Sequence, residues 1–268
     1  MDQNDARAPE TTPVKRDEGM KSLGKLVRVL DCFTTYDRTL SLAEISDRTG
    51  FPRSTTHRLM ASLRDVGFLD QDRHRDAYRL GLKLFELGNM ALSNLDIHRE
   101  AYPIVDALDR MTDHVVTLAI FDGYRAVVIR RTESGSDPAS GVNRIENAPA
   151  HCTSVGKAAL AFQPDEVVDR LVESGLPKYT DTTITDGDRL REELRVIRER
   201  GYSLDEGEHR PGLRCVGAPI RNQNGKVFAG LSVSGPNWRL TEADVEELAK
   251  VVVYHADQIS RSLGYTGA

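Results

Sequence analysis

Cysteine is scarce in this 268-residue chain: three residues, Cys32, Cys152 and Cys215, far apart and odd in number. That count excludes a disulfide framework, and the spacing matches no metal-ligand pattern; a reducing cytosol is expected, with no metal and no cofactor. Long apolar runs are missing too. No stretch approaches the ~20 residues of a membrane span, and the first residues lack the apolar core of a signal peptide, so a cytoplasmic protein with no membrane partner is expected. There is no internal repeat and no low-complexity tract. What remains is an ordinary soluble composition, 39% hydrophobic and 29% charged, on a chain long enough for two ordinary domains or one large α/β barrel.

The net charge of −5 is unevenly spread. Residues 21–81 hold 11 Lys and Arg against 8 Asp and Glu (+3), residues 1–20 hold 3 against 5 (−2), and residues 82–268 hold 22 against 28 (−6). A basic head on an acidic body suits a protein whose head meets a polyanion and whose body stays off it. The excess is modest and carries little alone.

Residues 1–20 are polar, with two prolines and almost nothing to bury, and are expected to form a disordered tail. Leu23, Leu26, Val27, Leu30 and Phe33 then repeat at helical spacing. A second helix begins at Ser41, with Glu44 completing a capping box and Gly50 ending it. Pro52 suits the first turn of a third helix running to about Arg64. Two short extended segments, 67–70 and 77–80, flank a charged turn. Helix, helix, turn, helix, hairpin is the order of a winged helix-turn-helix over 21–81. A connector helix is expected over 82–96, with Leu84, Leu87, Met90 or Ala91, and Leu95 on one side and able to pack against a second copy. Beyond it, over 97–268, helices at 97–111, 154–162, 165–174 and 187–200 alternate with paired strands at 114–122 and 125–133 and at 215–221 and 227–234, the latter joined by a hairpin turn ending in Asn224-Gly225. The stretch 134–150 reads as a loop. Thr241 with Asp244 starts a long last helix. The fold class is α+β: an antiparallel sheet flanked by helices behind a small DNA-binding domain.

In the third helix Thr56, Leu59, Met60 and Leu63 fall at i, i+3, i+4, i+7 and pack inward. Arg53, Ser54, His57 and Arg58 then face outward, with Thr55 at the edge. Helix N–H groups and Ser/Thr hydroxyls favour phosphate, and Arg pairs bidentately with guanine in the major groove. Arg73 and Arg75 sit at the hairpin tip, where a wing meets backbone or minor groove. One such helix alone is more often an ordinary solvated face. All these features in this order point to DNA reading.

Residues 22–82 resemble the N-terminal domain of the IclR family of transcriptional regulators, whose recognition helix carries a Ser-Thr-x-x-Arg run like Ser54-Thr55-Thr56-His57-Arg58. The body carries an independent match. Gly201-Tyr202-Ser203-Leu204-Asp205-Glu206-Gly207-Glu208, then Gly212 to Gly217 and Ile220, follow the family's effector-domain motif, with Arg221 a departure. The runs from His151 to Leu160 and from Leu231 to Pro236 also look like family segments. The similarity covers about 22–263. It implies a GAF-like effector-binding domain that takes small organic acids or aromatic metabolites, with Ser154, Val155, Asp205, Cys215, Ser232 and Ser234 as contacts. It implies a pseudo-palindromic double-stranded operator and a homodimer, with a dimer of dimers open.

Two other readings compete. Cys215 with His209 or His151 has the parts of a thiol nucleophile and base, although no elbow or oxyanion motif flanks it and the DNA-reading head would be unexplained. A constitutive DNA-binding protein would not need the acidic body. Singly, Ser232 and Ser234 could satisfy sheet-edge hydrogen bonds, Cys215 could be a small buried hydrophobe, and Glu208 a surface carboxylate. Together they favour a pocket and a ligand-responsive regulator, most simply a repressor, over an enzyme.

Overall fold

A computed structural model describes residues 16–34, 37–72, 77–93, 96–132 and 147–267. The chain falls into two units, Met1–Ala91 and Leu92–Ala268. In the first, α1 (Arg16–Leu30) is followed by β1 (Leu40–Ser41), α2 (Leu42–Thr49) and α3 (Arg53–Asp65). Strands β2 (Leu69–Asp72) and β3 (Ala77–Leu80) and helix α4 (Leu82–Ser93) complete it. The expected capping box is present: Ser41 N donates to Glu44 Oε2 at 2.7 Å, and Glu44 N donates to Ser41 Oγ at 3.3 Å. Gly50 ends α2 in the left-handed region at φ 69°, where it turns the chain toward α3. Val29, Ile45, Leu59, Met60, Leu63, Leu69 and Tyr78 form the core under this turn. The three strands pair antiparallel in the order β1-β3-β2. The hairpin closes at its base through Gly81, whose N–H donates to Phe68 O at 2.8 Å. A Cβ at Gly81 would lie 2.1 Å from Gly67 O, so no side chain fits there.

Several boundaries differ from the sequence reading, among them β2, expected at 67–70 and found at Leu69–Asp72, and β6, which lies in the expected loop. Arg16 to Met20 belong to α1, not to the tail; Met20 is the one large apolar residue among them, so periodicity passes over them. Pro52 caps α3 from outside instead of entering its first turn. Helix α4 spans Leu82–Ser93, within the expected connector, and Leu95 lies outside the described residues.

The second unit starts with α5 (Asp96–Thr112), β4 (Val115–Phe121), β5 (Arg125–Arg131) and β6 (Asn147–Pro149). Helices α6 (Ser154–Leu160), α7 (Asp165–Glu173) and α8 (Gly187–Arg200) come next, then β7 (Ser203–Glu206), β8 (Leu213–Arg221), β9 (Val227–Pro236) and α9 (Val245–Ser262). The strands form one antiparallel sheet in the order β6-β5-β4-β9-β8-β7. Strand alternation sends Val116, Leu118, Val216, Leu231 and Val233 into one core with Val105 and Leu108 of α5 and Val252 and Ile259 of α9. The opposite face carries Cys215, Ser232 and Ser234, and α6 lies on it with all seven residues buried. Two glycines permit that contact. A Cβ at Gly217 would lie 2.8 Å from Ser154 O, and one at Gly230 2.7 Å from Val155 O. Outside α6, Leu171 of α7 and Leu190, Leu194 and Ile197 of α8 form a further apolar layer. Strands β1, β6 and β7, of two, three and four residues, are too short to leave an alternation in the sequence. Trp238, just past β9, is 76% exposed.

Candidate functional site

Two sites are built on this frame, one in each unit. On α3, Thr56, Leu59, Met60 and Leu63 are buried, while Arg53, Ser54, His57 and Arg58 are exposed and Thr55 is half-buried. Pro52 supplies no side-chain bond to the helix start, so no side chain caps the first N–H groups. Among the described residues no hydrogen bond or ion pair engages the Arg53 or Arg58 guanidinium, whereas Arg48 is held by Asp37 at 2.9 Å and Arg64 by Gln71 at 3.0 Å. One helix end therefore gathers uncommitted cations, hydroxyls and backbone donors. Arg73 and Arg75 lie outside the described residues.

The second site is a cavity of about 80 Å³ between the sheet and the first turn of α6. Ser154, Val155, Asp205, Cys215, Ser232 and Ser234 all line it. Sheet register brings four of them together. Asp205 pairs with Cys215 across β7 and β8, Cys215 pairs with Ser234 across β8 and β9, and Ser232 lies two residues from Ser234 on the same face. Helix α6 is fixed from below: Thr153 Oγ1 accepts from Gly156 N at 3.2 Å and donates to Pro149 O at 2.7 Å, while Ser203 Oγ donates to Ser154 O at 2.7 Å. The loop after β7 is fixed by Asp205, whose Oδ1 accepts from Glu208 N at 2.7 Å.

Burial dominates the electrostatics here. It raises the Asp205 carboxyl above its ordinary value, against hydrogen bonds from the Glu208 and His209 backbone and the nearby Lys157 charge that pull the other way. Burial also pushes the Cys215 thiol up to about 12, helped by the Asp205 charge. That shift opposes thiolate formation, the form in which a cysteine acts as a nucleophile. His151 is committed elsewhere, its Nε2 lying 3.0 Å from Pro177 O.

Two charged residues of this site escaped the sequence reading. Arg131, at the end of β5 and paired with Thr117, lines the cavity, as does Arg210, beside His209, the histidine named above with Cys215. Two guanidinium groups give the wall the positive charge that the named residues lack. The available signal was Arg130-Arg131 closing an otherwise apolar strand. Behind the wall, Lys157 of α6 is 1% exposed and pairs with Glu208 Oε1, with Glu193 Oε1 3.7 Å away. Glu208 is therefore a buried partner, not a surface carboxylate; its carbonyl also accepts from Thr183 Oγ1 at 2.6 Å.

Two family models match, one after the other. "IclR helix-turn-helix domain" covers residues 22–73, and "Bacterial transcriptional regulator IclR C-terminal" covers residues 89–261. The chain is 32% identical over 248 residues to the HTH-type transcriptional regulator XynR of Escherichia coli strain K12, covering 92% of this chain and 98% of that one. It is 30% identical over 268 residues to the acetate operon repressor of Salmonella typhimurium strain LT2, covering 97% of this chain and 96% of that protein. A crystal structure of an IclR homologue from Microbacterium hydrocarbonoxydans, complexed with 4-hydroxybenzoate, superposes with a TM-score of 0.74 at 27% identity, covering 90% of this chain and 98% of the other.

Proposed function

This chain belongs to the IclR family of ligand-responsive bacterial transcriptional regulators, and from that premise we propose how its two sites divide the work. Residues 21–81 read a pseudo-palindromic operator. Arg53, Ser54, Thr55, His57 and Arg58 enter the major groove, with Arg73 and Arg75 as further DNA contacts. Residues 82–96 connect and residues 97–268 sense. The protein acts in the cytoplasm as a homodimer, able to pair again, and represses until its effector binds; it does not transform that effector.

The observation that carries the sensor reading is the convergence of Ser154, Val155, Asp205, Cys215, Ser232 and Ser234 on one cavity that also holds Arg131 and Arg210. Hydroxyls, a thiol and two guanidinium groups suit a carboxylate, and Asp205 accepts from a ligand hydroxyl or carries a proton. At about 80 Å³ the inner pocket is sized for a small acid. Ligand then acts through its differential affinity for the DNA-competent and incompetent arrangements; a coupling of about 1–3 kcal/mol changes operator affinity some 5–150-fold. A thermal-shift panel of two- to five-carbon carboxylic acids tests this, since a ligand at 100 times its Kd adds about 2.7 kcal/mol to the stability of the form that binds it. Ser234→Ala is expected to abolish the shift and the operator response while leaving ligand-free DNA binding near wild type. A response that survives Ser234→Ala, or no acid that shifts the wild type, overturns the assignment.

A further inference from the structure

The body holds a second cavity, about 220 Å³, that shares no lining residue with the inner pocket. Tyr124 and Arg125 at the start of β5, His151 ahead of α6, Leu171 of α7, and Pro177 and Tyr179 beyond it form its walls. The lining is that of a ligand site: apolar walls, three rings and few polar groups. Tyr124 and Tyr179 are half exposed, and both line the same concavity. The His151 ring centroid lies 6.1 Å from that of Tyr179, tilted by 38°. Burial lowers the His151 pKa, so the ring is neutral at neutral pH; a carbonyl only accepts, so Nε2 carries the proton to Pro177 O and the ring adds no charge. Tyr124 Oη lies 2.8 Å from Ser174 Oγ, which fixes the rim. Arg125 lines the cavity, and among the described residues its side chain is engaged through Nε alone, 3.4 Å from Asp122 Oδ2, which leaves the two terminal nitrogens of its fork for a ligand.

We propose that this cavity is a binding site for a single-ring aromatic carboxylate, with the ring against Tyr179, His151 and Leu171 and the carboxylate on the Arg125 fork. The outer cavity has room for a ring: about 150 Å³ holds benzene, and this cavity encloses about 220 Å³. Chemistry separates the two sites: the inner wall mixes hydroxyls, a thiol and a carboxyl with His209 and two arginines, whereas the outer one is mostly apolar and aromatic. In the outer cavity a planar acid finds aromatic faces and a guanidinium together.

The test is calorimetric titration of the full-length protein with benzoate, using benzyl alcohol as the uncharged ring and Ser234→Ala as the inner-pocket control. One benzoate per chain is expected, bound in Ser234→Ala as in wild type. Tyr179→Ala and Arg125→Gln are each expected to weaken it at least tenfold, with Tyr179→Phe restoring it, and benzyl alcohol is expected to bind at least tenfold more weakly. Absence of benzoate binding overturns the site. Loss of binding in Ser234→Ala with retention in Tyr179→Ala overturns it too, by sending the ring to the inner pocket. Benzyl alcohol binding as tightly as benzoate overturns the carboxylate assignment. The short-acid panel reads the inner pocket separately, so neither site's failure is mistaken for the other's.

Discussion

Lys157 is the largest side chain wholly inside the body, and its ammonium has three carboxylates near it: Glu208, Glu193 and, through charge alone, Asp205. Removing one partner of a buried pair strands the other, at about 3–5 kcal/mol, whereas replacing both with apolar groups is often neutral. Lys157→Met is therefore expected to lower stability by that amount in urea unfolding, and Lys157→Met with Glu208→Leu to recover most of it. A double variant as unstable as the single would show that the pair is not the unit. Asp205 gives a pH signature. Its folded pKa is raised by burial, so its favourable contribution is complete below the unfolded carboxylate value of about 4 and is lost as pH rises through the folded value. Asp205→Asn, which keeps an acceptor for Glu208 N, is expected to gain stability relative to wild type as pH rises from about 4 to 8, measured as Tm at each pH. The contacts named from motifs converge in the fold because motif residues are spaced by strand register. Lys157 and Arg131 were not found because a cation in an apolar run reads as a surface residue until both faces of its element are covered. The signal was there in Gly156-Lys157-Ala158-Ala159-Leu160, a charge with no polar neighbour.

At the scale of elements, the contact between α6 and the sheet has no side chain to spare. Gly217→Ala places a Cβ 2.7 Å from Ser203 Oγ and 2.8 Å from Ser154 C, so α6 must lift or the strand must bend. Overpacking of this kind costs about 1–3 kcal/mol, and because Ser154 and Val155 line the inner pocket, weaker binding of the pocket's acid accompanies the lower Tm. A variant with wild-type Tm and wild-type response would mean that α6 does not rest on Gly217. Elements of eight residues or more with a cap or a stripe were legible: α2 through Ser41, Glu44 and Gly50, and α9 through Val245, Leu248, Val252 and Ile259. The edge strands β6 and β7 were not, since three or four residues hold no period. The layering of α6 beneath the sheet was hidden as well, because a glycine in a strand reads as weakness and its reason, a helix backbone pressed against it, is tertiary.

The whole molecule reads DNA through a unit that holds one recognition helix, and a two-fold operator needs two such units at fixed spacing. Helix α4 exposes apolar side chains that would suit such a pairing: Leu82 is 68% and Phe85 66% exposed, with Leu87 and Met90 also exposed. Leu84, expected to lead the seam, is half-buried, and Leu82 and Phe85 take its place. Glu at Phe85 and Leu87 together is expected to release monomers in sedimentation analysis and to remove most of the operator affinity; a variant that stays dimeric moves the seam elsewhere, with α1, where Leu23 and Val27 are exposed, the next candidate. The position of Trp238 has an optical consequence. It is the one tryptophan in the chain, it stands in water, and it belongs to the sensing unit. Excited at the red edge, beyond tyrosine absorption, the protein therefore emits red-shifted light from a single place, and the DNA-reading unit is dark. A blue shift or a change in iodide quenching reports cover over that corner of the body. Operator added to the free protein leaves the colour alone unless the event at the head is felt there.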